Sequence, residues 1–250
     1  MKKFLHFFVL FLISISTISA QSKDPVVQNI INEANNNSQL KKLGHELLDV
    51  IGPRLVGTPQ MKQANDWAVA KYTSWGISAK NEKWGEWRGW ERGITHVDML
   101  YPRVQSLDGT QLAWNPGTSD KGITGEVIVI PTILDKAAFQ RWLKTIKGKI
   151  VLISMKQPTG RPNYNWEEFA TTESFDKMKN ERNEQTKAWR QNIRNTGFSS
   201  RTIIAELEKA GAAGLVASNW SKGFGVNKIF SARTKIIPTI DMELEDYTML

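Results

Sequence analysis

The residues able to do chemistry are few. The 250-residue chain has three histidines and no cysteine, which excludes thiolate zinc sites, iron–sulfur clusters, disulfide scaffolds and cysteine nucleophiles. His96-Val97-Asp98 has the spacing by which a strand aims two ligands at one metal. A catalytic zinc takes three protein donors and a water, yet no histidine follows position 96, and His45 lies far upstream on an amphipathic stretch. Carboxylates alone suit harder ions than zinc. The triplet therefore reads as a strand with alternating polar side chains, and no metal ligand or catalytic residue is assigned. Glu167-Glu168 could pair as acid and base, but it sits in a charged, solvated stretch. There is no Gly-x-Ser-x-Gly elbow and no phosphate-binding glycine loop, and Lys222-Gly223-Phe224-Gly225 has the makings of a surface turn only.

The strongest compositional anomaly is Trp84, Trp87 and Trp90, interleaved with Gly85, Arg88 and Gly89. Exposed, these indoles could stack on a sugar, a base or a substrate side chain, which defines the alternative reading of a non-catalytic binding module for carbohydrate or peptide. The expectation from residue type is instead bulky packing between helices and sheet.

Composition narrows the class. At 40% hydrophobic and 23% charged residues, the chain can fill a core and keep a wet surface. The net charge of +8 comes from basic residues dispersed among acids, so no nucleic-acid partner is expected. Met1-Lys2-Lys3, an apolar run to Ile13 and a small-residue exit at Ser19-Ala20 have the order of a secretory leader over residues 1–20. The run is too short for a membrane span of about 20 apolar residues. A secreted or periplasmic protein starting at Gln21 is expected, with no stable membrane anchor after cleavage.

The elements follow from punctuation and period. Asp24-Pro25 and Thr58-Pro59 each pair an N-cap with a first-turn proline. The first opens a helix with Val26, Val27, Ile30, Ile31 and Ala34 on one face. The second opens a helix expected to bury Met61, Ala64, Ala68, Tyr72 and Trp75, stopped by Gly76. Between them, a helix is expected from Ser38 to Ile51. Beyond Gly76 the period becomes two. Strands are expected around Thr95 to Tyr101 and at 127–130, 149–154, 214–217 and 236–240, with helices at 136–145 and from a Ser200 cap to Ala210. Residues 156–200 form a charged helical excursion with a thin stripe of Phe175, Met178, Trp189 and Ile193. The turn 115–119 is the expected seam between residues 21–118 and 119–250. Tyr247-Thr248-Met249-Leu250 halts on apolar residues without a cap, so Leu250 is not expected to be the natural end of a functional unit.

Two stretches resemble a known family. Residues 47–59, Leu-Leu-Asp-Val-Ile-Gly-Pro-Arg-Leu-Val-Gly-Thr-Pro, with the helix to Trp75-Gly76, resemble the entry of secreted zinc exopeptidases of the co-catalytic aminopeptidase and carboxypeptidase Q-like family. The succession Thr124-Gly125-Glu126-Val127-Ile128-Val129, Gly148 to Ile153, Ala210 to Val216 and Ile237 to Ile240 is similar to the protease-associated domain inserted in such enzymes. The resemblance implies an α/β fold: a helical entry with a few strands, then a truncated protease-associated-like domain. It also implies a zinc metallopeptidase acting on peptides. Because the family's ligands follow the insert, they are expected beyond Leu250, and this chain alone is expected to bind no zinc and to be inactive.

Overall fold

Asp24 Oδ1 accepts the Val26 N–H at 2.8 Å, and Pro25 opens helix α1 (Pro25–Asn36) as the cap predicts. This computed structural model describes residues 24–224, 228–230 and 233–250; the leader expected at 1–20 lies outside them. The chain divides into two compact units, Met1–Gly89 and Trp90–Leu250.

In the first unit, α2 (Leu40–Gly44) runs into a π-helical turn, His45–Val50, where one continuous helix was expected. The Ile51 N–H reaches back five residues to the Glu46 carbonyl at 3.1 Å. A widened turn leaves carbonyls without their usual donors, and the Arg54 guanidinium supplies them, donating to Leu47 O at 2.6 Å and Gly52 O at 2.9 Å. Helix α3 (Pro59–Ser74) starts where Thr58 Oγ1 accepts the Met61 N–H at 3.2 Å. It ends at Gly76, φ +77°, with the Ile77 N–H bonded to Tyr72 O at 2.9 Å. The expected apolar face is corrected here. Of its five residues only Ala64 is buried, while Tyr72 and Trp75 lie exposed, packed edge to face against each other at 5.8 Å. Beside α3, Trp67 Nε1 donates to Glu46 Oε2 at 2.7 Å, and Lys71 Nζ stands 2.6 Å from the same oxygen. Lys71 first, then Trp67, holds the Glu46 carboxyl below the usual carboxylate range.

The second unit is built on a five-stranded sheet in the order β3-β7-β6-β5-β4. Strands β4 (Val127–Val129), β5 (Ile150–Leu152), β6 (Gly214–Ala217) and β7 (Thr239–Met242) are parallel, and β3 (Gly109–Gln111) joins β7 antiparallel. A hairpin of β1 (Val97–Met99) and β2 (Gln105–Leu107) forms a separate two-stranded sheet. Successive strand residues point to opposite faces, and the two cores follow. Val151 and Leu215 share one cluster with Phe139 and Leu143 of α4 (Lys136–Leu143), Ile193 of α6 (Thr172–Asn195) and Ile204 and Leu207 of α7 (Ile203–Lys209). Leu152, Val216 and Met242 share the other with Met99, Leu107 and Tyr247 of α8 (Leu244–Met249). The crossover helices thus cover one face, and the hairpin with α8 covers the other. Each fully buried aliphatic or aromatic side chain contributes about 1.5–3 kcal/mol.

The charged excursion is helical, α5 (Asn163–Phe169) then α6, and of its expected stripe Met178 and Ile193 are buried. Asn192 fastens α6 to the chain leaving β4, accepting the Ile133 N–H at 2.6 Å and donating to Pro131 O at 2.9 Å. Two sequence expectations move. The N-cap of α7 is Thr202, not Ser200, and its N–H is accepted by Ser199 Oγ at 3.2 Å in the turn before the helix. The last strand begins at Thr239, not Ile236, because Pro238 has no N–H to give and the N–H groups of Lys235, Ile236 and Ile237 all go to Glu208 Oε1, at 2.8, 2.7 and 3.1 Å. The turn 115–119 joins β3 to β4 of one sheet, and buried Asn115 donates from its side chain to Thr239 O at 2.7 Å.

Candidate functional site

His96 Nε2 lies 2.9 Å from Asp98 Oδ2, and Ser106 Oγ donates to Asp98 Oδ1 at 2.8 Å. The Ser106 hydroxyl, ahead of His96, holds this carboxyl below its ordinary range. His45 Nδ1 lies 2.8 Å from Asp49 Oδ2, one turn on. Each pair offers two donors that already satisfy each other, and among the described residues no group of three or more His, Asp or Glu is gathered for a metal. These pairs do not fit a catalytic zinc, which needs three protein ligands. Glu167 and Glu168 are exposed on α5.

The tryptophans depart from the packing expectation. Trp84 is 90% and Trp87 64% exposed. Trp90 is half-buried; Trp114 lies 6.4 Å from it, and the Arg92 guanidinium 5.5 Å over its ring.

The family-like motif at 47–59 has structural reasons for its residues. Arg54 closes the π-helical turn, Gly52 and Gly57 adopt φ of +80° and +79°, and Thr58 caps α3 while donating its hydroxyl to Leu55 O at 2.7 Å. A Cβ on Gly57 would stand 2.6 Å from the Arg88 carbonyl oxygen. The motif builds a tight entry loop and brings no donor set for catalysis.

What sequence reading missed is the carboxyl edge of the parallel sheet, where open α/β sheets place their ligands. Asp241, 2% exposed near the end of β7, accepts the Asn219 N–H at 2.7 Å and its side-chain amide at 2.9 Å on Oδ1. Its Oδ2 accepts the Lys228 N–H at 3.0 Å. Burial nevertheless raises its pKa above the ordinary carboxylate value, against the pull of these donors. The chain after β6 is thereby anchored at two points, and Trp220 within it lies 4.4 Å from the Arg182 guanidinium of α6. Two clefts open here, sharing Ser218 and Asn219. One, about 60 Å³, is lined by Asp241, Glu243 and Glu245 and by no base. Burial first, then Asp108 and its acidic neighbours, raises the Glu243 pKa. The other, about 400 Å³, is lined by Arg201 and Arg233 and by no acid. In sequence, Asp241 is one polar residue within a strand, and nothing local marks it as buried.

No family model matches the chain. Over 116 residues it is 30% identical to carboxypeptidase Q of Rattus norvegicus, covering 46% of this chain and 24% of that protein. Over 106 residues it is 32% identical to carboxypeptidase Q of Homo sapiens, covering 42% and 22%. The chain thus spans about a quarter of the length of the curated relatives it matches, and it is homologous to carboxypeptidase Q over the matched part. Among solved structures, a peptidase M28 precursor from Shewanella amazonensis aligns at TM-score 0.49 and 19% identity, over 89% of this chain and 45% of the other. A zinc aminopeptidase from Bacillus subtilis aligns at TM-score 0.44 and 17% identity, over 82% and 38%.

Proposed function

We propose that this chain is part of a secreted or periplasmic zinc-dependent exopeptidase that hydrolyses peptides. The observation that carries the reading is the identity with carboxypeptidase Q over 106 to 116 residues. The His–Asp pairs described above do not fit zinc, so its ligands are assigned to other residues of the whole enzyme, and these 250 residues alone are inactive. Identity of residues 119–250 with a protease-associated domain belongs to the same reading; the parallel strand runs with crossover helices on one face support it. Among the described residues no helix is long and apolar enough to cross a membrane. The test is a peptidase assay with zinc and with chelator on the natural gene product carrying this sequence, beside the 250-residue chain. Chelator-sensitive turnover by the former and none by the latter is expected. Turnover by the chain alone overturns the inactivity assignment, and turnover indifferent to chelator overturns the zinc reading.

The exposure of Trp84 and Trp87 favours a second reading, a surface for carbohydrate or peptide. Affinity for an immobilised oligosaccharide or peptide that the double variant Trp84→Ala, Trp87→Ala loses would support it, and retention by that variant would end it.

A further inference from the structure

We infer that strand β4, at one edge of the five-stranded sheet, is the docking edge for a second copy of this chain. The two β4 strands pair antiparallel about a two-fold axis and make one continuous sheet. The inference goes beyond the peptidase reading and does not rest on it.

This edge carries backbone groups with no strand to receive them. The Ile150 N–H goes to Glu126 O at 2.9 Å, and Val127 and Val129 stand beside Ile150 and Leu152 in a parallel register. The even-numbered residues therefore turn their N–H and C=O to β5. Val127 and Val129 turn theirs outward, where no further strand lies among the described residues. Sheet edges are ordinarily blunted by charge, proline or a covering element. Residues 123–134 carry one charge, Glu126, and Lys149 Nζ already stands 3.0 Å from it. Apolar side chains in the same stretch are exposed, Val129 at 60% and Leu134 at 80%.

The shape of the edge suits a strand. A cleft of about 370 Å³ is lined by Val127, Ile128 and Val129, with Trp142 of α4 and Leu250. Trp142 and Ile128 pack against the core on one sheet face, and Leu250 and Val127 against the core on the other. The cleft thus straddles the sheet edge. A strand added in plane meets apolar cover on each side, as strands of a sheet covered on both faces do.

Symmetry selects a second copy. In an antiparallel ladder, opposed residues whose groups face the partner exchange both backbone bonds. With the two-fold axis at Ile128, Val127 opposes Val129 of the second copy, and Val129 opposes its Val127. Each outward group of the strand then meets its own counterpart, the self-complementarity that an isologous dimer requires. Glu126 faces Ile130 of the second copy and not another carboxylate. The seam is short, so a dissociation constant in the micromolar range is expected.

The experiment is sedimentation of the natural gene product carrying this sequence over a range of concentrations, with amide exchange read at β4. A concentration-dependent dimer is expected, with Val127 and Val129 amides protected in the dimer and open on dilution. Val129→Pro removes an outward N–H while sparing the bonds to β5, and should weaken the dimer by about tenfold or more. Val129→Lys, a milder change at an exposed position, should do the same. Leu40→Lys, 77% exposed in the first unit, should leave the dimer intact. Ile128→Cys should form a disulfide between copies, since opposed residues there lie about 4.5 Å apart. Val129→Cys, two positions out of register with itself, should not. A monomer at every concentration, a dimer untouched by both Val129→Pro and Val129→Lys, or cross-linking at 129 and not at 128 overturns the proposal. A monomer whose Val127 and Val129 amides are protected has its edge covered by another segment, which overturns the second-copy assignment.

Discussion

A single oxygen of Glu208, on helix α7, receives the backbone N–H of Ile236 at 2.7 Å, and with it those of Lys235 and Ile237. One side chain thereby sets where the last parallel strand starts. Glu208→Ala removes the acceptor from three donors, and a cost of about 1–3 kcal/mol follows from hydrogen bonds to a charged group. Amide hydrogen exchange at residues 235–237 should accelerate selectively, whereas Glu208→Gln, which keeps an oxygen in place, should retain most of the protection. Unchanged exchange in Glu208→Ala would show that these amides are protected by something else.

The second prediction concerns pH. Asp241 and Glu243 both have folded-state pKa values raised above their ordinary 3.8 and 4.5. A carboxyl raised on folding contributes stability that is fully present below its unfolded pKa and is lost as pH rises through the folded value. Chemical denaturation across the acid range should show wild type losing stability relative to the Asp241→Asn, Glu243→Gln double variant as pH rises from about 4, levelling off once both groups are ionised. A difference that is flat or grows with pH would contradict the burial assigned to this pair.

Tyr247 offers a cleaner probe of the second core. Its hydroxyl accepts the Ser154 N–H and donates to Ser154 O, each at 2.8 Å, while burial pushes the phenol upward in pKa. Tyr247→Phe keeps the ring and strands both backbone groups, so a loss of about 1–3 kcal/mol in urea unfolding is expected. A neutral outcome would mean that water reaches Ser154.

Gly57→Ala tests the entry loop. A left-handed φ costs a non-glycine residue about 1–2 kcal/mol, and the added methyl would also meet the Arg88 carbonyl at 2.6 Å. The melting temperature should fall for this variant, and hardly move for Gly44→Ala, whose Cβ meets nothing within 4 Å. Equal behaviour of the two would remove the steric account of the motif.

Legibility in the sequence tracked how local each cause was. The caps at Asp24 and Thr58 and the stops at Gly76 and Gly211 act within a few residues, and they stand where the sequence places them. The apolar strands β4, β5 and β6 were equally visible. Strands β2 and β3, Gln-Ser-Leu and Gly-Thr-Gln, are three residues each with no apolar alternation; distant partners make them strands. The π-helical turn depends on Arg54 reaching back, which no period reveals. The basic cleft collects Gln157, Arg201, Ser218 and Arg233 from four separate loops and element ends, and charges that far apart in sequence look like ordinary surface until the strands bring them together.

The pairing of Gly109 with Met242 means that β3 has no strand partner until nearly the whole second unit has been synthesised. During translation the first half of this unit emerges with its sheet edge unclaimed, and closing so long a loop is slow compared with forming a neighbouring hairpin.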